Sequence, residues 1–277
     1  MNLPETPSFS VIICSIDALK FTQISECYET LLAGFPHEII GIHDARSLSE
    51  GYNRGLWRAR GNIVIFSHDD ILILDPDFAR KISARLRNFD ILGFAGTRRV
   101  IAEKWFHAGL PWLFGVVAYA RKESMKLDIF DINPWPVVDG IQGIDGLCMI
   151  ARREVAEAIG FDETTFDGFH LYDLDFSFSA WRAGKKLGVC CDIPIIHTSG
   201  GSFNQTHARY GRLFIEKHKD ALPANASKID KIKGASVILP TDYRALCAMW
   251  QEDILRRGWI AFQRRETTRS ENLAEGE

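Results

Sequence analysis

After a short polar lead, the chain enters FSVIICSI (9–16), a brief apolar and β-branched run of the kind that forms a buried strand. FTQISECYETLLAGF (21–35) follows, with Phe21, Ile24, Tyr28, Leu31 and Leu32 recurring at helical spacing, which predicts an amphipathic helix. The alternation repeats. EIIGIHD (38–44) reads as a strand and LSEGYNRGLWRARG (48–61) as a helix; NIVIFSHDD is a strand and DPDFARKISARLRNF (75–89) a helix; DILGFAG (90–96) is a further strand. Strands that alternate with helices in this way predict an α/β fold with a mostly parallel central sheet and helices on both faces.

Residues 97–140 break the rhythm. Trp105, Trp112, Trp135 and an NPWP turn signal are scattered among glycines and charges, which predicts an irregular insertion. Regular structure is expected to resume in GIDGLCMIARREVAEAIG (143–160) as a strand running into a short helix, then GFHLYDLDFSFSAWRAGKKL (168–187) and the strand LGVCCDIPIIH (187–197). A helix is expected at 205–219, then a polar link, a second helix near 241–256, and a frayed, charged tail. The expected organisation is one main domain over 1–220 and a C-terminal helical extension with its tail over 221–277.

Composition narrows the class without choosing a partner. The 277 residues are 46% hydrophobic and 25% charged, ordinary for a globular protein, and the net charge of -3 gives no electrostatic reason to expect nucleic acid. Six cysteines without a CxxC pair, and a start lacking the blocks of a secretory signal, lead to an expectation of reduced thiols and a cytoplasmic location. The longest apolar window, LPWLFGVVAYA (110–120), is well short of a membrane span, so no transmembrane segment is expected. Peripheral membrane contact stays open through Arg256-Arg257 and Arg264-Arg265, whose default reading is solvation.

The candidate chemistry lies at strand ends. In an open α/β sheet, ligands gather outside the carboxyl ends of the strands. Asp17, Asp44, Asp69, Asp70 and His197 all fall at or just after such ends. Acids crowded around one crevice repel one another unless a cation sits among them, and carboxylate oxygens with a histidine suit a divalent cation, Mn²⁺ or Mg²⁺, with the imidazole favouring Mn²⁺. The bland alternative is a turn and helix cap after a strand, as Asp75 before Pro76 already suggests for the next helix.

Several motifs in register carry a resemblance. VIICSID, HDARSLSEGYNRGLWRARGNIVIFSHDD, DGLCMIARREVAEAIGFDETTFDGFHLYDLDFSFSAWRAGKKL and IPIIHTSGGSF together resemble a family 2 glycosyltransferase of the bacterial glycosyltransferase-like branch, over about residues 8–220. The resemblance implies a GT-A fold, with a Rossmann-like sheet. It further implies transfer of a sugar from a nucleoside diphosphate donor, such as a UDP-sugar, to an acceptor hydroxyl, with inversion and dependence on a divalent cation. Asp44 then corresponds to the acid that contacts the nucleotide base, Ser15 to the loop that shapes the base pocket, Asp69 to a ribose or metal contact, and Asp70 to the metal ligand. His197 corresponds to a further metal ligand of some GT-A enzymes. Ser67 stands where many relatives place the first acid of the motif. Asp173 corresponds to the catalytic base, with Tyr172 in place of the usual preceding glutamate.

Helical geometry adds an independent constraint: residues two apart point to different faces, so only one of Asp173 and Asp175 should line the site. A helix N-terminus also lowers a carboxylate's pKa, so burial and the neighbouring anionic donor would have to offset that for Asp173 to act as a base. The tryptophans of 97–140 are expected either to shape an acceptor pocket or to form a satellite core or a homo-oligomer contact. Arg54, Arg58 and Arg60 read as a solvated basic face. The implied acceptor class stays open among a glycan, a lipid-linked acceptor and a small molecule. The Ser67 and Tyr172 departures leave a noncatalytic sugar-nucleotide or glycan-binding protein as the alternative, and a carboxylate-pair glycoside hydrolase would leave the strand-end acids unexplained.

Overall fold

The structure is a computed structural model that describes residues 6–120, 124–131, 135–199, 205–224 and 235–240. The first half follows the expected alternation: β1 (Phe9–Cys14), α1 (Ala18–Leu31), β2 (His37–Ile42), α2 (Leu48–Arg58), β3 (Ile63–Ser67), β4 (Ile71–Ile73), α3 (Phe78–Arg85), β5 (Ile91–Gly93) and β6 (Ala95–Thr97). Next come a short 3₁₀ turn (Trp105–Ala108), β7 (Leu113–Ala120), β8 (Ser124–Asp131), β9 (Val137–Ile141), β10 (Gly143–Ile144), β11 (Cys148–Arg152) and α4 (Arg153–Ile159). The described part closes with α5 (Tyr172–Arg182), β12 (Leu187–Cys190), β13 (Ile195–His197), α6 (Gln205–Lys217) and β14 (Ala235–Pro240).

The α/β architecture is as expected, with a central sheet that is mixed. Its order is β2-β1-β3-β11-β5-β12-β9. β2, β1, β3, β5 and β12 run one way, while β11 and β9 run against their neighbours. Both faces are buried, because successive residues of β1 and β3 go to opposite sides: Val11, Ile13, Ile63 and Ile65 join one core, and Ile12, Val64 and Phe66 the other. On the first side pack Ile24 and Tyr28 of α1 and Phe78 and Ile82 of α3; on the second lie Tyr52 and Leu56 of α2 and Val155 of α4. Close approach of α2 to β1 requires Gly55, since a Cβ there would collide with the Ile12 side chain.

A second sheet, β10-β6-β7-β13-β4, continues through β8 to β14. Two runs expected as single strands cross between the sheets. DILGFAG breaks at Phe94 into β5 and β6, and LGVCCDIPIIH breaks at 191–194 into β12 and β13; past the end of the strand expected in NIVIFSHDD, His68-Asp69-Asp70 likewise leads from β3 into β4 of the second sheet. The polar triplet is therefore a junction between sheets.

Residues 97–140 are largely regular, contrary to the expectation of an irregular insertion. They contain β7, β8 and most of β9, with β7 and β8 paired antiparallel, so the tryptophans and glycines punctuate a sheet whose partners are remote in sequence. Residues 235–240, expected within a polar link, pair with β8 as β14. The helix expected near 241–256 and the two late arginine pairs lie outside the described residues.

Two capping assignments change. Helix α3 begins at Phe78 with Asp77 as its N-cap residue; Asp75 instead accepts from the Asp77 amide and pairs with Lys81 at 2.6 Å. Asp17 caps α1, accepting from the Leu19 and Lys20 amides, and so serves the helix rather than the acidic crevice. Among the described residues, no helix is long and apolar enough to cross a membrane.

Candidate active site

The site forms where the carboxyl ends of β1, β2 and β3 meet the second sheet. Because these strands are parallel and adjacent, Ser15, Asp44 and His68-Asp69-Asp70 emerge at one edge. Ser15 donates its hydroxyl to Asp69 Oδ2 at 2.6 Å, and its carbonyl contacts His43 Nδ1 at 2.8 Å. Two of the expected donor-contacting residues thus touch directly. Asp44 stands farther out, 80% exposed and held by the Arg54 guanidinium at 2.7 and 3.3 Å, which lowers its pKa. Arg54 also pairs with Glu50 and Arg60 with Glu38, so these basic side chains are already matched by acids.

Strand pairing explains why Asp70 meets His197. β13 runs antiparallel to β4 with His197 opposite Ile71, and the Thr198 amide donates to the Asp70 carbonyl at 2.8 Å. His197 Nε2 consequently lies 3.2 Å from Asp70 Oδ1. His68 completes the group, its Nδ1 3.8 Å from the same oxygen. The ligand-capable atoms of His68, Asp70 and His197 all lie within 4.8 Å of one another.

The electrostatics of the trio are tightly linked. Burial favours protonation of Asp70, but the His197 hydrogen bond and charge outweigh it and hold the carboxyl well below the usual range. Burial opposes charge on His197, yet contact with Asp70 raises its pKa overall. His68 shifts the other way, lowered first by burial and then by the charge of His197. Two imidazoles and one carboxylate fit a divalent transition metal such as Mn²⁺ better than Mg²⁺, which prefers oxygen ligands.

Ser67, expected where relatives carry an acid, turns away from this cluster. It is fully buried; its hydroxyl contacts Tyr28 Oη at 3.0 Å and donates to the His68 carbonyl at 2.8 Å. Its side chain belongs to the support beneath the junction. Asp69 likewise stands outside the trio, facing Ser15.

The other half of the site comes from the β10–β11 turn and the start of α5. β11 pairs with β3 with Cys148 opposite Ser67, and the His68 amide donates to the Leu147 carbonyl at 3.1 Å. Asp145-Gly146-Leu147 is thereby fixed beside the triplet. Gly146 donates its amide to Asp173 Oδ2 at 2.8 Å, and a Cβ on Gly146 would strike both the Tyr172 hydroxyl and Asp173 Cβ. Leu171, entering α5, adopts a left-handed conformation (φ 64°) that ordinarily costs a bulky residue about 1–2 kcal/mol.

Asp173 carries a pKa raised to about 7, first by burial and then by the charge of Asp145, against the lowering effect of the Leu174 and Gly146 amides. Of the two influences that the helix position called for, burial is present; the negative charge beside Asp173 is that of Asp145, which the sequence did not point to. Asp175 points elsewhere, into a buried cluster with Lys217 and His218, each at 2.8 Å.

Two residues were missing from the sequence reading. His68 was visible in the triplet but had no assigned role. Asp145 was signalled only by an Asp-Gly turn after an apolar pair; in the structure it accepts from Trp105 Nε1 at 3.0 Å and from the Leu147 amide at 3.1 Å. Trp105 is correspondingly a core residue, 7% exposed and edge-on to Phe130 at 4.9 Å, whereas Trp112 and Trp135 are exposed.

Comparison with known proteins adds a family. The model of a family described as "Glycosyltransferase like family" matches residues 10–218. Among curated protein sequences, none matches the chain. Similar solved structures include GalNAc-T7 with UDP, GalNAc and Mn²⁺, at 10% identity and a TM-score of 0.48, covering 77% of this chain and 48% of that one. The mannosyltransferase PcManGT from Pyrobaculum calidifontis, in complex with GDP-Man and Mn²⁺, is similar at 13% identity and a TM-score of 0.47, covering 79% and 65%. S. aureus TarS 1-349 in complex with UDP-GlcNAc is similar at 14% identity and a TM-score of 0.42, covering 80% and 69%. The chain spans about half of the first of these and just under two thirds of the second.

Proposed function

The chain belongs to the glycosyltransferase-like family, and from that premise we propose that it transfers a sugar from a nucleoside diphosphate donor, UDP-linked in the first instance, to an acceptor hydroxyl with inversion. The observation that carries this reading is the juxtaposition, through the β10–β11 turn, of a His-Asp-His cluster with a carboxylate tuned to about neutral pH. His68, Asp70 and His197 would hold the cation. When bound there, a divalent cation supplies neutralisation of the charge gathering on a departing diphosphate.

Ser15, Asp69 and Asp44 line the same edge and are assigned to the donor: Asp69 and Ser15 toward ribose and base, and Asp44 toward the base, for which it exchanges its Arg54 contact. Asp173 is assigned as the general base. The acceptor oxygen forms a bond to the anomeric carbon from the face opposite the diphosphate, the bond from that carbon to the diphosphate oxygen breaks, and the acceptor's proton passes to Asp173. A carboxylate with a pKa near the working pH holds that proton well while remaining substantially ionised beforehand.

The test is calorimetric binding of a panel of nucleoside diphosphate sugars with and without Mn²⁺, followed by transfer and donor-hydrolysis assays. The expected result is Mn²⁺-dependent donor binding that Asp70→Asn abolishes. Absence of binding by every donor would overturn the assignment; binding without transfer or hydrolysis under any acceptor would make the protein a noncatalytic sugar-nucleotide binder. The division into 1–220 and 221–277 and the cytoplasmic location belong to the same proposal; limited proteolysis of the full chain tests the first and cell fractionation the second, while the donor panel and acceptor assays identify the sugar and the acceptor.

A further inference from the structure

The two ring nitrogens of His68 face different parts of the molecule. Nδ1 faces Asp70 at 3.8 Å, whereas Nε2 lies 2.6 Å from the hydroxyl of Tyr172. A neutral imidazole carries one ring proton, so only one nitrogen can offer a lone pair to a cation. The side that keeps the proton is therefore decided by what Tyr172 does.

The Tyr172 hydroxyl has a second contact, the Gly146 carbonyl at 3.4 Å, which can only accept. With the phenolic hydrogen directed to Gly146, the phenol oxygen accepts from His68 Nε2–H, both contacts are used, and Nδ1 keeps its lone pair toward Asp70. With the hydrogen directed to Nε2, the Gly146 contact is lost and Nδ1 carries a proton that sits beyond hydrogen-bonding distance of Asp70. The first arrangement satisfies more groups. Tyr172 is also held firmly in place: it is 4% exposed, is the first residue of α5, and packs on Tyr52 at 5.6 Å and Phe161 at 6.4 Å between ring centroids.

We propose that Tyr172 is a positioning residue that fixes His68 in the tautomer whose Nδ1 ligates the cation, and so ties the cation site to the helix that carries Asp173. The inference rests on the reading of His68, Asp70 and His197 as a cation site. Gly146 is the common anchor, since its carbonyl takes the Tyr172 hydroxyl while its amide serves Asp173. Tyr172 thereby has a function at the position where the resemblance led one to expect a glutamate. Outer-shell partners of ligating histidines commonly change metal affinity by about 10–100-fold when removed.

The experiment is a Mn²⁺ titration of the full-length protein without any donor, followed by electron paramagnetic resonance of the free ion and by calorimetry. Tyr172→Phe, which keeps the ring and loses the hydroxyl, should weaken Mn²⁺ binding about 10–100-fold, and His68→Ala should weaken it at least as much. Tyr172→Phe added to His68→Ala should then have almost no further effect, because the residue through which it acts is gone. A Tyr172→Phe protein that binds Mn²⁺ like the parent, or that loses affinity equally in both backgrounds, would overturn the inference. If the parent binds Mn²⁺ and Asp70→Asn abolishes binding while Tyr172→Phe is silent, the cation site stands and the role of Tyr172 falls. If the parent protein binds no Mn²⁺, both fall.

Discussion

Asp173 and Asp175 lie two residues apart at the start of one helix, yet they point into different surroundings: Asp173 accepts the Gly146 amide beside Asp145, and Asp175 pairs with Lys217 and His218 across the core. The helical turn separates them by roughly 200°, which converts two identical side chains into one candidate base and one structural ion. Their substitutions should therefore have opposite signatures.

Asp173→Asn is expected to lower transfer by about 10²–10⁴-fold while leaving donor and Mn²⁺ binding intact. In the parent protein, kcat/KM should rise with pH through about 7, because the base must be ionised. Asp145→Asn should move that rise to lower pH, since the Asp145 charge is the second cause of the elevation after burial. The same shift has a consequence for stability. A carboxyl raised in the folded state favours folding while neutral, so its contribution is intact below about pH 4 and is lost as pH rises through about 7. Asp173→Asn should consequently be more stable than the parent at pH 8, by about 1 kcal/mol or more, with the difference vanishing at acid pH in thermal melts.

Asp175→Asn should cost stability and not chemistry. Asp175 is 2% exposed and joins α5 to the end of α6, so its loss leaves His218 and half-buried Lys217 with fewer partners. The expected loss is about 3 kcal/mol, softened by the remaining Lys217–Asp162 pair at 2.8 Å. Denaturant unfolding measures it, and Mn²⁺ affinity of the folded variant should be unchanged.

Ser67→Asp tests whether restoring an acid to the junction restores a ligand. Ser67 faces Tyr28 inside the core, so the new carboxylate would be buried away from the cluster. We expect about 3 kcal/mol of destabilisation and no gain in Mn²⁺ affinity. Tighter Mn²⁺ binding in calorimetry would show that the side chain can reach the site.

Gly146→Ala introduces a methyl group into the space taken by the Tyr172 hydroxyl and Asp173 Cβ. Transfer should fall by about 10²-fold or more, as small displacements of catalytic groups commonly do. Mn²⁺ affinity should fall with it, because the same glycine holds Tyr172. Retained affinity with normal turnover would mean that the turn relaxes without moving α5.

Much of this molecule was legible from local pattern. Helical spacing in 21–35 and 48–61, and short apolar runs at 9–16 and 62–67, report residues that bury against immediate neighbours, so α1, α2, β1 and β3 were visible along with the strand-end positions of Ser15, Asp44, Asp69 and Asp70. The two-residue offset of Asp173 and Asp175 was enough to say that they must part. What the sequence could not decide was anything set by pairing at long range. Residues 97–140 look irregular because the partners that make β7 and β8 a sheet include β6, β13 and β14, before and well beyond them. His197 meets Asp70 only because β13 docks on β4, and Asp145 approaches Asp173 only because α5 packs on β10 and Asp173 takes the Gly146 amide. Side-chain type is written in the chain, but the direction a side chain faces in a strand reverses at every residue and depends on register. Register is a tertiary property, and it placed Ser67 in the core and gave His68 its two partners.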